Sequence, residues 1–202
     1  HGGAAAEHLD VRHQGRSHNA WLFPAPGFAE GGATVVVWGG ADGWCEAFHP
    51  SVAAFAEQGL SACLLELPGQ GLARLQHGAM LTPGFHAVVS TLLDMLQARG
   101  AAPDGFGVVG HSAGGSLAVA AAAADARIRA CCSNGGSPEP RLGAAKFPRV
   151  LQRIGRMLGH ATNEGEVHAF FDALDLPHAA RHMRARLLCL HGGQDSLVAD
   201  EE

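Results

Sequence analysis

Gly110, Ser112 and Gly114 alternate within the run Phe-Gly-Val-Val-Gly-His-Ser-Ala-Gly-Gly-Ser of residues 106–116. That spacing is one a nucleophilic serine needs. A hydroxyl can attack a carbonyl carbon only if it stands clear of its own backbone, with N–H groups at hand for the oxygen that becomes negative. A sharp turn from strand into helix supplies both, because the first helical N–H groups have no carbonyl partner within the helix. Glycines on either side let the crossing backbones approach where a Cβ atom would otherwise stand. With 28 glycines in the chain, the bare pattern arises by chance in about one such sequence in six, so its flanks must decide. They fit: residues 106–109 are apolar and β-branched, and residues 113–124 are Ala-rich with no Pro, giving strand, turn and helix in order.

Two further segments carry groups that such a serine would use. Residues 35–43, Val-Val-Val-Trp-Gly-Gly-Ala-Asp-Gly, read as a strand entering a Gly-rich loop. The N–H of Gly40 or Ala41, with that of Ala113, would make a two-donor oxyanion hole; a Gly-rich turn without a catalytic part is the equal alternative. In residues 190–198, Leu-His-Gly-Gly-Gln-Asp-Ser-Leu-Val, Asp195 falls in a loop at a strand's carboxyl end, where an acid can orient a histidine. Glu139 is another carboxylate just after a strand.

Other chemistry-bearing residues have plainer readings. His178 and His182 share a helix face at i, i+4, but no Glu follows His178 and no third ligand is evident, so a solvated pair is favoured over a metal site. His111 reads as a core residue aimed at the sheet. Glu66 either braces the Pro68–Gly69 turn or is a surface carboxylate. Trp38, Trp44, Phe48 and Phe85 line a pocket or are simply core.

The elements that must position these residues alternate along the chain. Strands at 34–38 and 61–67 flank a helix at 47–58, and the pattern continues with a helix at 85–99, a strand at 106–109, a helix at 113–124 and strands at 128–133 and 187–191. This is an α/β chain with a mostly parallel, doubly wound sheet, whose sites form outside the carboxyl ends of the strands. Residues 9–23 read as an antiparallel pair ahead of it. Between 138 and 184, apolar residues at helical spacing (Val150, Leu151, Ile154, Leu158, then Val167, Phe170, Phe171, Leu174) predict two or three helices, inserted as a lid before the last strand. A single domain over 1–202 follows, with its core in 9–137 and 185–202.

Composition narrows the function classes. A chain of 202 residues, 47% hydrophobic, can bury one sizeable core. A net charge of −5 with no basic run argues against a nucleic-acid surface, and no apolar stretch is of membrane-spanning length. Five cysteines, with Cys131 and Cys132 adjacent and no Cys-x-x-Cys, predict neither a disulfide framework nor a zinc site, so the cytoplasm is the default. The sequence opens without Met and closes on Asp-Glu-Glu soon after a strand, which reads as part of a longer protein.

Gly-His-Ser-Ala-Gly-Gly at 110–115, Leu-Pro-Gly-Gln-Gly at 67–71 and His-Gly-Gly-Gln-Asp at 191–195 resemble, in order and spacing, three landmarks of the α/β-hydrolase superfamily. The Pro-Gly-Gln-Gly form and the run Leu-Asp-Leu-Pro-His-Ala-Ala-Arg-His-Met at 174–183 resemble the subgroup of 2,6-dihydropseudooxynicotine hydrolase, fungal polyketide-shortening hydrolases and fermentation-respiration switch esterases. The resemblance spans residues 34–199. It implies Ser112 as nucleophile, Asp195 as triad acid with Glu139 as the alternative found in some relatives, and Ala113 with Gly40 or Ala41 as oxyanion hole. The implied substrate is a small organic molecule cleaved at an ester, thioester or activated C–C bond, with no cofactor or metal; a homodimer is left open. One departure stands out. The superfamily's histidine follows the acid by some tens of residues, and none of the 13 histidines here holds that place, so the base is expected beyond residue 202. A binding or regulatory protein of the same fold is the alternative, and a serine peptidase a weaker one.

Overall fold

Apolar runs broken by Gly or Pro form the sheet. In the computed structural model, which describes residues 6–41, 43–159 and 164–195, the strands are β1 (Glu7–His13), β2 (Arg16–Phe23), β3 (Thr34–Trp38), β4 (Ser61–Leu65), β5 (Phe106–His111), β6 (Ile128–Asn134) and β7 (Arg186–Leu190). They lie in the order β1-β2-β4-β3-β5-β6-β7. β4, β3, β5, β6 and β7 run parallel, while β1 and β2 form an antiparallel hairpin that joins β4 antiparallel. The hairpin turns through Gln14 and Gly15, both at positive φ (49° and 75°), the two-residue geometry that matches strand twist. Asp42 of the Gly-rich loop, residues 160–163 of the insertion and residues 196–202 at the end of the expected core lie outside the described residues.

The helices are α1 (His49–Glu57), α2 (Gly71–Leu75), α3 (His86–Gln97), α4 (Ala113–Ala124), α5 (Pro140–Lys146), α6 (Pro148–Met157), α7 (Glu164–Leu174) and α8 (Leu176–His182). The helix expected at 47–58 divides: Cys45–Phe48 is a 3-10 turn, and α1 starts at His49 with Pro50 in its first turn. The insertion holds four helices among the described residues rather than two or three. Pro140, Pro148 and Pro177 each stand in a helix's first turn, because a residue without an N–H and with fixed φ fits there and nowhere further in. Apolar periodicity runs through these breaks and hides them.

One face of the sheet carries the larger core, where Phe85, Leu92, Leu93 and Leu96 around α3 and Leu117 of α4 are almost fully buried against Val36, Trp38 and Phe106. α8 packs on α4, and Leu176 and Ala179 join that core. The opposite face is thinner, with Val37, Cys45 and Leu64 under α1. Every residue of β7, the outer strand, is exposed.

Strand order decides where a site can form. The chain passes from β3 outward to β4, then returns to place β5 on β3's other side, so the connections leave β3 and β5 in opposite directions. A crevice opens at the carboxyl ends of these two strands. Trp38 and Gly110 are register partners there, which brings the loop after β3 beside the turn after β5.

Candidate active site

Ser112 occupies the single position between β5 and α4, at φ 55° and ψ −130°. An L-residue adopts that conformation only when its surroundings impose it. Here they do: Ser112 N–H donates to the Asn134 carbonyl at 2.7 Å, and Gly115 N–H donates to the Ser112 carbonyl at 2.7 Å. The neighbouring glycines are required by close approach. A Cβ on Gly110 would overlap the Gly114 carbonyl, and one on Gly114 would overlap the Gly39 carbonyl. Trp38 ties the end of β3 to the first turn of α4, its buried indole N–H donating to the Gly114 carbonyl at 2.9 Å. Ser112 itself is exposed.

The loop after β3 leans on this turn. A Cβ built on Gly40 would stand 3.0 Å from Ser112 Cβ and 3.3 Å from the Ala113 nitrogen. Gly40, Ala41, Ser112 and Ala113 all line one cavity of about 340 Å³, whose walls include Trp44, Phe48, Val150, Ile154 and Phe171. Ala113 opens α4, so its N–H has no acceptor within the helix. The arrangement sets a projecting hydroxyl beside backbone donors in a largely apolar recess, open to a carbonyl compound. α6 and α7, from the inserted segment, form one wall of the recess through Val150, Ile154 and Phe171.

Asp195 lies apart from that cavity. It follows β7 at its carboxyl end, half-buried, in a turn closed by its own N–H donating to the Gly192 carbonyl at 2.8 Å. Glu139 lines two neighbouring cavities and not the one at Ser112; its N–H donates to Ser137 Oγ at 3.0 Å. Among the described residues lining the Ser112 cavity there is no histidine.

His111 is half-buried, its ring stacked on Phe48 at 4.3 Å and its Nδ1 3.0 Å from Asn134 Nδ2. Burial holds its pKa below the ordinary imidazole value, since desolvation disfavours the charged ring. His178 and His182 stack at 4.0 Å on α8, and among the described residues no group of three or more His, Cys, Asp or Glu is placed to hold a metal ion. Trp38 and Phe85 are core, whereas Trp44 and Phe48 face the cavity. The thiols offer no rival nucleophile in the interior, since burial pushes Cys63 and Cys131 up to about 12 and Cys45 upward as well.

Glu66 is fully buried and not a surface group. It accepts from Leu72 N–H at 2.8 Å, Ala73 N–H at 3.0 Å and Asn19 Nδ2 at 3.2 Å, so it braces the first turn of α2. Gln70 and Asn134 were not singled out by sequence reasoning, although both bond directly to the backbone or ring of residues at the site. Gln70 stood within the Pro-Gly-Gln-Gly landmark; nothing in the sequence marked Asn134.

No protein-family model matches the sequence, and no curated protein matches it. Solved structures do. The crystal structure of 2,6-dihydroxy-pseudo-oxynicotine hydrolase superposes with a TM-score of 0.82 at 22% identity, over 96% of this chain and 54% of that one. Est1E from Butyrivibrio proteoclasticus, solved with ferulic acid bound, gives 0.69 at 18% identity over 96% and 82%. A puromycin-hydrolyzing peptidase of Mycobacterium tuberculosis gives 0.77 at 20% identity over 98% and 32%. The chain has the α/β-hydrolase fold. It spans about half the length of the pseudo-oxynicotine hydrolase structure and about a third of the peptidase. No helix among the described residues is long and apolar enough to cross a membrane.

Proposed function

We propose that the protein is a serine hydrolase that cleaves an ester, thioester or activated C–C bond of a small organic molecule through an acyl-enzyme on Ser112. The observation that carries this reading is the convergence of Ser112, in its imposed conformation, with Ala113, Gly40 and Ala41 on one apolar cavity. Ser112 Oγ attacks the carbonyl carbon, and the N–H groups of Ala113 and of Gly40 or Ala41 receive the oxyanion. Asp195 orients a histidine that takes the serine proton and returns it to the leaving group. That imidazole would have to span the gap between the turn after β7 and the cavity, whose described lining residues include no histidine. Similarly folded proteins include a 2,6-dihydroxy-pseudo-oxynicotine hydrolase, the ferulic-acid-binding Est1E and a puromycin-hydrolyzing peptidase, which supports acyl chemistry without choosing the bond.

The test is steady-state hydrolysis of a panel of nitrophenyl esters by the full-length protein and its Ser112→Ala variant. The reading expects turnover that falls at least about a thousandfold in the variant, while circular dichroism is unchanged. Full activity in a folded Ser112→Ala protein rules out Ser112 as nucleophile. Retention of fold with no turnover by either protein would favour a binding role.

A further inference from the structure

Behind the loop that meets Ser112 lies one buried amide whose hydrogen bonds leave it a single orientation. Gln70 is 2% exposed. Its Oε1 accepts from Leu67 N–H at 2.9 Å, which identifies the other end as the donor; Nε2 then donates to the Gly39 carbonyl at 2.7 Å and the Gly40 carbonyl at 2.9 Å. We propose that Gln70 is the positioning residue of the oxyanion loop, and that its two donated hydrogen bonds aim the N–H groups of Gly40 and Ala41. The proposal rests on the Ser112 reading above and adds a residue to it.

The Gly39 carbonyl shares a peptide plane with Gly40 N–H, and the Gly40 carbonyl shares one with Ala41 N–H. In a trans peptide the N–H and C=O point in opposite directions, and no described peptide bond is cis. Drawing both carbonyls toward Gln70 therefore turns both N–H groups away from it. Gly40 and Ala41 line the cavity with Ser112, whereas Gln70 does not, so the loop stands between the amide and the cavity. Gly43 N–H donates to the Gly40 carbonyl at 3.0 Å and closes the loop from the other end.

Gln70 is itself held from three sides. Gly69 turns at φ 84° directly beneath Met157 of α6, where a Cβ would stand 2.7 Å from Met157 Cβ. Gln70 N–H donates to the Leu67 carbonyl at 3.1 Å, and the buried Glu66 carboxylate fixes the first turn of α2 immediately after it. A two-carbon side chain on so constrained a backbone places its amide with little freedom, which is what preorganised donors require.

The experiment uses the full-length protein with Gln70→Leu and the volume-conserving Gln70→Met. Three quantities are read: kcat and KM on a nitrophenyl ester, affinity for a trifluoromethyl ketone whose adduct on serine carries an oxyanion, and melting by circular dichroism. The proposal expects kcat to fall roughly a hundredfold and ketone affinity to fall by a similar factor, with KM within about threefold and a cooperative melt retained. Folded variants whose kcat and ketone affinity stay within threefold of wild type overturn it, as does equal weakening of ketone and substrate binding. Collapse of both variants assigns Gln70 to folding alone and overturns it too. Wild-type turnover that does not depend on Ser112 removes the nucleophile reading as well as this one; Ser112-dependent turnover that survives loss of the Gln70 amide removes this one only.

Discussion

Ser112→Gly is expected to abolish turnover and, at the same time, to stabilise the fold. Ser112 is held at φ 55° and ψ −130°, a conformation that costs an L-residue about 1–3 kcal/mol and glycine almost nothing. Against that relief stands the greater freedom of glycine in the unfolded chain, worth about 0.4–1 kcal/mol. No capping hydrogen bond from the Ser112 side chain is lost, because the side chain makes none at the start of α4. The net expectation is a gain of about 1 kcal/mol, or roughly 2–4 °C in melting temperature for a domain of this size. Ser112→Ala is the control: it removes the hydroxyl but keeps the Cβ, so the strain remains and stability should stay within about 0.5 kcal/mol of wild type. Urea unfolding of the three proteins, with equal m-values, reads the difference. A Ser112→Gly protein no more stable than Ser112→Ala would show that the turn after β5 stores no strain, and the argument that surrounding contacts impose this conformation would fail.

Two stability predictions concern groups away from the serine. His18 is buried at 2% exposure, and burial lowers its pKa to about 4 from about 6.5. The unfolded chain takes up this proton below about pH 6.5 and the folded chain only near 4, so stability falls as pH drops through that window, by about 3 kcal/mol in all. His18→Leu should flatten that slope in urea titrations between pH 7 and 4; an unchanged slope refutes the assignment. Asp125 accepts from Arg127 Nε and Nη2 and from Ser90 Oγ, and chiefly the Arg127 bond lowers its pKa to about 2. Its contribution, about 2 kcal/mol, is present above pH 4 and is lost as pH falls toward 2. Asp125→Asn should lower stability at pH 7 by at least that amount, and a variant as stable as wild type there contradicts it.

What the sequence could show depended on how far apart the interacting residues are. β3, β5 and α4 were legible because each is signalled by its own residues: a Val run into Gly-Gly, an apolar strand into Gly-x-Ser-x-Gly, and an Ala-rich helix without Pro. Their order also implied the crevice, since strand and helix alternation fixes which ends carry loops. The insertion was harder. Its apolar spacing continues across Pro148 and Pro177, and only the prolines' places in first turns reveal the boundaries. The contacts that shape the site were not legible at all. Trp38 reaches the Gly114 carbonyl 76 residues away, and Gln70 reaches the Gly39 carbonyl 31 residues away. No local pattern records such a pairing; it exists only once the sheet has set β3 beside both β4 and β5. Glu66 stayed open between two readings for the same reason, since nothing local in the sequence separates a surface carboxylate from one surrounded by the N–H groups of α2.

The most direct measurement is labelling of the full-length protein with a fluorophosphonate, followed by mass mapping of the modified peptide. The account predicts a single adduct on Ser112, formed at a rate that Ser112→Ala abolishes. Adduct formation at another residue, or none under conditions where the protein hydrolyses an ester, would contradict it.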